Sequence, residues 1–205
     1  MIVEKEIISG CKKGNSNARQ ILYERYYQVM FGICLRYVRN IDETKDLVQE
    51  GFIKIFTKIK QYKDKGSFEG WMKRIMVNNT IDYIKKRTKE ASCMEITDVE
   101  NNKISDDEKE NKPVRRDKSE LIKETPNYGM IEDAQFTEDE LLRAMHSIPE
   151  SYSIVFNLHC IEGYSHAEIG KLLDIDEKTS RTRLLRARRY IQEQLYKMCI
   201  EKIGV

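Results

Sequence analysis

Six cations fall within fourteen residues near the C-terminal end. Lys178, Arg181, Arg183, Arg186, Arg188 and Arg189 lie between Glu177 and Tyr190 with Glu177 as the one acid, a local net charge of +5. Such a cluster suits a polyanion. A guanidinium offers paired donors to a guanine edge, and neighbouring cations neutralise phosphates and hold the register. Across the chain 36 Lys+Arg face 34 Asp+Glu, a formal net charge of only +2, so positive charge is concentrated here rather than spread. Ser180, Leu184, Ala187, Ile191 and Leu195 recur every three or four positions and mark the buried stripe of a helix. The first turns of a helix seated in a major groove reach the bases. Lys178, Arg181, Thr182, Leu185 and Arg186 are therefore the base-edge candidates, and the later Arg188 and Arg189 the phosphate candidates, with Arg183 on a flank.

A second set of polar groups lies in the N-terminal half. Asp46, Gln49 and Glu50 stand beside the apolar stripe Val48, Phe52, Ile55 and Ile59 and share a polar helix face. Further on, Lys73, Arg74, Lys85, Lys86 and Arg87 supply cations along a helix otherwise apolar at Phe68, Trp71, Met72, Ile75, Ile81 and Ile84. Asn78 and Asn79 interrupt that helix, and both are expected at its surface. Trp71, with apolar neighbours at helical spacing, is expected to pack in the core rather than to stack on a base.

These groups need helices to hold them. From Ile21, the positions Leu22, Tyr26, Val29, Ile33 and Tyr37 define one helix, with a start signal at Asn15 to Asn17; Asp42 is the expected cap of the next. The stretch from Ser67 to Arg87 follows a Gly-containing turn, Lys63 to Gly66. Thr137 with Glu140 and Ser165 with Glu168 each spell a capping box, Pro149 suits the first turn of a helix, and Gly163 suits a stop. The short turn Asp174-Ile175-Asp176 joins the last two helices, and two helices so joined form a helix-turn-helix. That context favours a DNA-reading role for the basic helix over a merely solvated face.

Between Thr88 and Asp133 the texture changes. Two of the three prolines, Pro113 and Pro126, fall here, and 13 acidic against 8 basic residues crowd without helical period. This composition reads as a mobile linker. The expected fold is all-α: residues 1–88 and 134–205 form two small helical domains, the second a helix-turn-helix, joined by a flexible linker over 89–133.

Several chemistries are not supported. Cysteines at 11, 34, 93, 160 and 199 form no C-x-x-C pair, and the start of the chain has no signal-peptide pattern, which favours a reducing cytoplasm over a disulfide framework. No apolar run is long enough to span a bilayer, so no direct membrane insertion is expected. His159, Cys160, His166 and Cys199 lack paired ligand spacing, and no metal or other cofactor is implied. A nuclease would need a carboxylate cluster on ordered elements, which the spacing lacks, and no nucleophile elbow or phosphate-binding Gly loop appears. The chain is not expected to be an enzyme.

Both blocks resemble sigma factors of the sigma-70 family, in the small extracytoplasmic-function (ECF) group. D-L-V-Q-E-G-F at Asp46 to Phe52 is similar to the segment that docks on the clamp helices of the polymerase beta-prime subunit. S-F-E-G-W-M-K-R-I-M-V-N-N-T-I-D-Y-I-K-K-R at Ser67 to Arg87 is similar to the segment that opens and reads the minus-ten element. P-E-S-Y before the helix-turn-helix and T-S-R-T-R-L-L-R-A-R at Thr179 to Arg188 resemble the minus-thirty-five reader, whose DNA-contacting positions fall on Arg181, Thr182, Leu185 and Arg186. The resemblance implies a cytoplasmic transcription initiation factor whose partners are promoter DNA, core RNA polymerase (beta-prime clamp helices and beta flap) and an anti-sigma factor. It also implies strand opening through Asn78 and the cations around it, with the loop Lys63 to Ser67 helping to form the base pocket. In two places this sequence departs from the family: Asp174 stands where Gly is common, and Ser180 where Val is common. Asp tolerates a left-handed turn, and a small Ser can fit a buried stripe. The helix-turn-helix alone would also serve a DNA-binding regulator acting without core polymerase. That alternative leaves the first block without a purpose, and direct binding to core polymerase discriminates.

Overall fold

The computed structural model describes residues 4–98, 129, 131 and 134–203. Among them every regular element is a helix: α1 (Glu4–Lys12), α2 (Ser16–Tyr37), α3 (Ile41–Lys58), α4 (Phe68–Asp98), α5 (Glu138–His146), α6 (Glu150–Phe156), α7 (His166–Leu173) and α8 (Glu177–Ile203). A short 3-10 turn, Ile59–Gln61, follows α3, and a π turn, Asn157–Ile161, extends α6. None of the helices in the described residues is long and apolar enough to cross a membrane.

In the N-terminal half, α2, α3 and α4 close around Leu22, Met30 and Cys34, Val48, Phe52 and Ile55, and Met72, Met76 and Ile81, all buried. Asn15 caps α2 as its position suggests, its side chain accepting from the Ala18 amide at 3.1 Å. The cap of α3 is Asn40 rather than Asp42: its Oδ1 accepts from the amides of Asp42 (2.8 Å) and Glu43 (3.2 Å). The chain turns helical two residues earlier than expected, which leaves Asp42 in the first turn, where its charge favours the positive helix end. Gly51 lets α3 approach α4, since a Cβ there would come within 2.3 Å of Met76 Sδ. Helix α1 has no counterpart among the expected elements. It places Ile7, Ile8 and Cys11 in the core, and Tyr26 on α2 donates to Glu4.

Helix α4 continues to Asp98, ten residues into the stretch assigned to the linker. Residues 88–98 lack an apolar period, but they also contain neither Gly nor Pro, so nothing stops the helix from propagating. The rest of that stretch, with its expected mobility, lies almost wholly outside the described residues.

In the C-terminal half both capping boxes form. The Glu140 amide donates to Thr137 Oγ1 (3.3 Å) and the Thr137 amide to Glu140 (2.8 Å); likewise the Glu168 amide donates to Ser165 Oγ (3.2 Å) and the Ser165 amide to Glu168 (2.9 Å). Asp174 ends α7 in the left-handed region (φ 59°, ψ 46°), the conformation its side chain tolerates better than most. The Ile175 amide then returns to the Gly170 carbonyl at 3.0 Å. A Cβ on Gly170 would stand 2.7 Å from the Ile175 carbonyl oxygen, so the turn between α7 and α8 closes against bare backbone.

The two halves pack on each other through the end of α2. His146 meets the Leu35 carbonyl (2.9 Å), Arg39 donates to the Ile148 carbonyl (2.8 Å), and Asn157 donates to the Arg36 carbonyl (3.3 Å). Arg36 pairs with Glu162 at 2.5 Å, and Arg87 in the second half of α4 pairs with Glu150. The Tyr37 hydroxyl and Asn157 Oδ1 are buried here with no hydrogen-bond partner among the described residues, and burial pushes the Tyr37 phenol far up.

Candidate nucleic-acid and polymerase interfaces

Helix α8 begins where the Asp176 carboxylate accepts from the Thr179 amide, a bond that holds this carboxyl below its ordinary range. Its buried side starts as the spacing suggests, with Ser180, Leu184 and Ala187 enclosed and Ile191 and Leu195 half-buried farther along. Ser180 is more than a small filler. Its hydroxyl pairs with His166 Nδ1 at 2.9 Å, and the His166 ring stacks on His159 with centroids 4.4 Å apart and planes 15° apart. The π turn, the first turn of α7 and the first turn of α8 are thus pinned together. Burial lowers the His166 pKa, and the neighbouring His159, Arg181 and Arg188 lower it further, so the ring is neutral at neutral pH.

Lys178, Arg181, Thr182, Leu185, Arg188 and Arg189 are exposed, as a groove-facing surface requires. Arg181 is held by Glu177 (2.9 Å) and Arg189 by Glu193 (3.3 Å), exposed pairs one helical turn apart that yield readily to a phosphate. Arg188 reaches the Cys160 sulfur at 3.8 Å, and Thr182 returns its hydroxyl to the Lys178 carbonyl at 2.9 Å. Arg183 is half-buried. Arg186 differs from the other base-edge candidates: it is half-buried, donates to the Tyr152 hydroxyl at 2.8 Å and lies 5.7 Å from the centre of that ring. It ties α8 to α6 in this arrangement. Leu185 beside it is 71% exposed.

On α4 the expected cations divide. Trp71, Arg74, Asn78 and Lys85 recur at intervals of three, four and seven and share a face, with Arg74 and Asn78 exposed. Burial raises the Tyr164 pKa with Arg74 opposing it, and the hydrogen bonds from Ser165 lower the Glu168 pKa with Arg74 adding to them. Lys73 pairs with Glu69 at 2.7 Å, and Lys86 is exposed. Arg87 points elsewhere: it pairs with Glu150 and with Glu43 (3.5 Å) and lies 5.9 Å from the Tyr83 ring centre, while Tyr83 donates to Glu43 at 2.9 Å. Asn79 lies in the core rather than at the surface expected for it. It is 2% exposed, donates to the Leu47 carbonyl at 3.1 Å and accepts from Lys54, so it crosslinks α3 and α4 inside the core, where only a partnered amide is tolerated. Trp71 is half-buried, stacked on Phe68 (5.7 Å) and beside Tyr62 (5.5 Å), in keeping with a packing role. The neighbouring loop is pinned by the Tyr62 hydroxyl on the Gly66 carbonyl (2.8 Å) and by Lys12 on the Tyr62 carbonyl (3.0 Å), with Asp64 and Gly66 both at positive φ.

On α3, Asp46, Gln49 and Glu50 are all exposed in one strip, opposite the buried Leu47, Val48, Phe52 and Ile55. Glu50 meets Lys54 at 3.2 Å. The strip also holds Ile53, 65% exposed, which no apolar stripe predicted; counting positions from Asp46 would have found it. The described residues contain no group of three or more His, Cys, Asp or Glu that could hold a metal ion.

The family model "Sigma-70 region 2" matches residues 22–90, and "Sigma-70, region 4" matches 138–191, together more than half of the chain. The chain is 26% identical over 194 residues to the ECF RNA polymerase sigma-E factor of Haemophilus influenzae, an alignment covering 95% of this chain and 96% of that one. Against the ECF RNA polymerase sigma-E factor of Escherichia coli K12 the identity is 23% over 194 residues, with 95% of each covered. Among solved structures, the sigma factor RpoE in complex with the anti-sigma factor NepR from Bartonella quintana shares the fold, with a TM-score of 0.50, 16% identity, and 86% of this chain and 95% of that one covered.

Proposed function

Since the chain belongs to the sigma-70 family of transcription initiation factors, in its ECF group, it directs RNA polymerase to promoters, and we propose that three faces divide that work. Asp46, Gln49 and Glu50 on α3 bind core polymerase at the clamp helices of the beta-prime subunit. The exposed start of α8 enters the major groove of the minus-thirty-five element: Lys178, Arg181, Thr182 and Leu185 face the bases, with Arg186 joining them once it leaves Tyr152. Arg183, Arg188 and Arg189 take phosphates. On α4, Asn78 and the cations Lys73, Arg74, Lys85, Lys86 and Arg87 hold the opened minus-ten strand. No covalent chemistry is needed, because contacts to single-stranded DNA offset unstacking, which costs a few kcal/mol. The beta flap of polymerase carries the C-terminal half, an anti-sigma factor regulates the protein, and it acts in the cytoplasm where polymerase is found.

The observation that carries this reading is the exposed acidic strip of α3 in the same chain as the basic groove-facing side of α8, on separate halves. A regulator working without polymerase would use only the second. Geometry adds a requirement. The two promoter elements lie about 25 base pairs apart, or about 85 Å at roughly 3.4 Å per pair. In this arrangement Arg87 is bonded to Glu150 of the C-terminal half. Engaging both elements therefore separates α4 from α6. Transcription in vitro with core polymerase and a promoter library tests the function: transcripts from a discrete promoter set, dependent on this protein, are expected. No binding to core polymerase, with intact binding to duplex DNA, would overturn it.

A further inference from the structure

The geometry points to Ile53 as the apolar anchor of the polymerase contact, seated in a socket on core polymerase that is apolar at its floor and basic at its rim. The inference rests on the docking role proposed for Asp46, Gln49 and Glu50.

Ile53 follows Asp46 by seven residues, Gln49 by four and Glu50 by three, so it lies on the midline of that strip. It is 65% exposed, whereas Phe52 is 2% exposed and Ile55 fully enclosed. The core of the N-terminal half closes without it. Local propensity gives no reason for its presence either, because a β-branched side chain on a solvated helix face is a weaker helix former than the Lys or Glu common there. A lone exposed aliphatic group is ordinary on a protein surface. This one sits at the centre of an otherwise polar strip, with Gln49 and Glu50 before it and Thr57 one turn after, all exposed. An apolar centre within a polar rim is the anatomy of a protein–protein contact, where most of the affinity falls on a few enclosed side chains. Another strongly exposed aliphatic, Leu185 at 71%, lies in the middle of the face of α8 proposed to meet DNA. Both faces therefore have the same construction.

The charge of the strip specifies the socket. Asp46 and Glu50 lie on the N-terminal side of Ile53, so the partner surface complementary to it carries cations beside an apolar floor. The packing of the two halves runs through the end of α2 and leaves residues 46–57 of this strip uncovered, so the anchor is available before the halves separate. The two kinds of side chain then act on different rates. The carboxylates speed encounter and make it salt-dependent, and the enclosed isoleucine slows escape.

The test is the kinetics of the full chain on purified core polymerase at several salt concentrations, for the parent, Ile53→Ala, Ile53→Leu and the charge reversal Asp46→Lys with Glu50→Lys. Ile53→Ala should dissociate about ten-fold faster, with its association rate and salt dependence kept. Ile53→Leu should stay within about two-fold of the parent, and the charge reversal should chiefly slow association. Unchanged thermal midpoints show that the fold is intact. If Ile53→Ala dissociates like the parent while the charge reversal weakens binding, the docking strip stands and the anchor is refuted. If neither variant affects binding, the docking strip falls and the anchor with it. If the free chain self-associates and Ile53→Ala abolishes that instead, Ile53 serves a second copy of the chain and the inference is overturned.

Discussion

Replacing Gly170 by Ala should loosen the helix-turn-helix even though alanine is the better helix former. Gly170 lies inside α7, where exchange for Ala in an unconstrained helix gains about 1 kcal/mol. Here the added Cβ would meet the Ile175 carbonyl oxygen at 2.7 Å. That oxygen is backbone, so no side-chain rotation relieves the contact. The Ile175 amide is bonded to the carbonyl of Gly170 itself at 3.0 Å, so moving the turn away strains a second interaction worth about 1 kcal/mol. Overpacking of this kind costs about 1–3 kcal/mol, and the lost bond brings the total to about 2–4. Setting the helix gain against it leaves a net loss of about 1–3 kcal/mol. For a domain of this size each kcal/mol lowers the midpoint by roughly 4–8 °C. The control is Gly32→Ala, also inside a helix but with nothing within 4 Å of the new Cβ, which should gain up to about 1 kcal/mol. Thermal unfolding followed by circular dichroism reads both, and duplex binding reads the pose of α8. Gly170→Ala should lose duplex affinity while keeping its affinity for core polymerase. A midpoint that rises for both variants alike would show that the turn does not depend on this close approach.

Arg186→Ala should relax discrimination at one base pair by roughly 1–3 kcal/mol, whereas Arg189→Ala should weaken all promoters alike and lower the salt slope by about one unit; uniform loss for both, measured on single-base promoter variants at several salt concentrations, would refute the assignment. Asn78→Ala, exposed and therefore without consequence for the core, should lose strand opening in permanganate footprints while recruitment persists, and the reverse pattern would refute its role. The folded-state pKa of His166 lies below its ordinary value of 6.5, so between the two the unfolded chain binds more protons. Its contribution to stability is therefore complete above pH 6.5 and is lost as the pH falls through that value toward the folded pKa. His159, Arg181 and Arg188 around it oppose the added proton and Glu177 favours it. Urea midpoints of the parent should fall in that window and those of His166→Gln should fall less; equal slopes would exclude this ring as the source.

What the sequence made legible is what a helix decides within a few residues of itself. Both capping boxes, the left-handed turn at Asp174, the enclosed Ser180 and the exposed strip Asp46, Gln49 and Glu50 follow from spacings of two to seven positions, and the structure contains all of them. The residues whose surroundings local pattern does not show are those whose partners lie far along the chain. Asn79 breaks an apolar run as a surface residue would, yet Leu47 and Lys54 on the neighbouring helix satisfy its amide in the core. Arg87 belongs by position to the basic run Lys85 to Arg87 of α4, but its partners are Glu43, 44 residues before it, and Glu150, 63 after it. Arg186 has Tyr152 34 residues upstream. In each case a polar group that local pattern assigns to solvent or to DNA is held by a partner that only the tertiary arrangement supplies. The difference bears on function. A cation paired with an exposed carboxylate, such as Arg181 with Glu177, exchanges it for a phosphate at little cost, because such pairs contribute only about 0–1 kcal/mol. Arg87 and Arg186 must first release contacts that join one half or one helix to another. Their binding to DNA is therefore coupled to a change in the packing of the protein, and that of Arg181 is not.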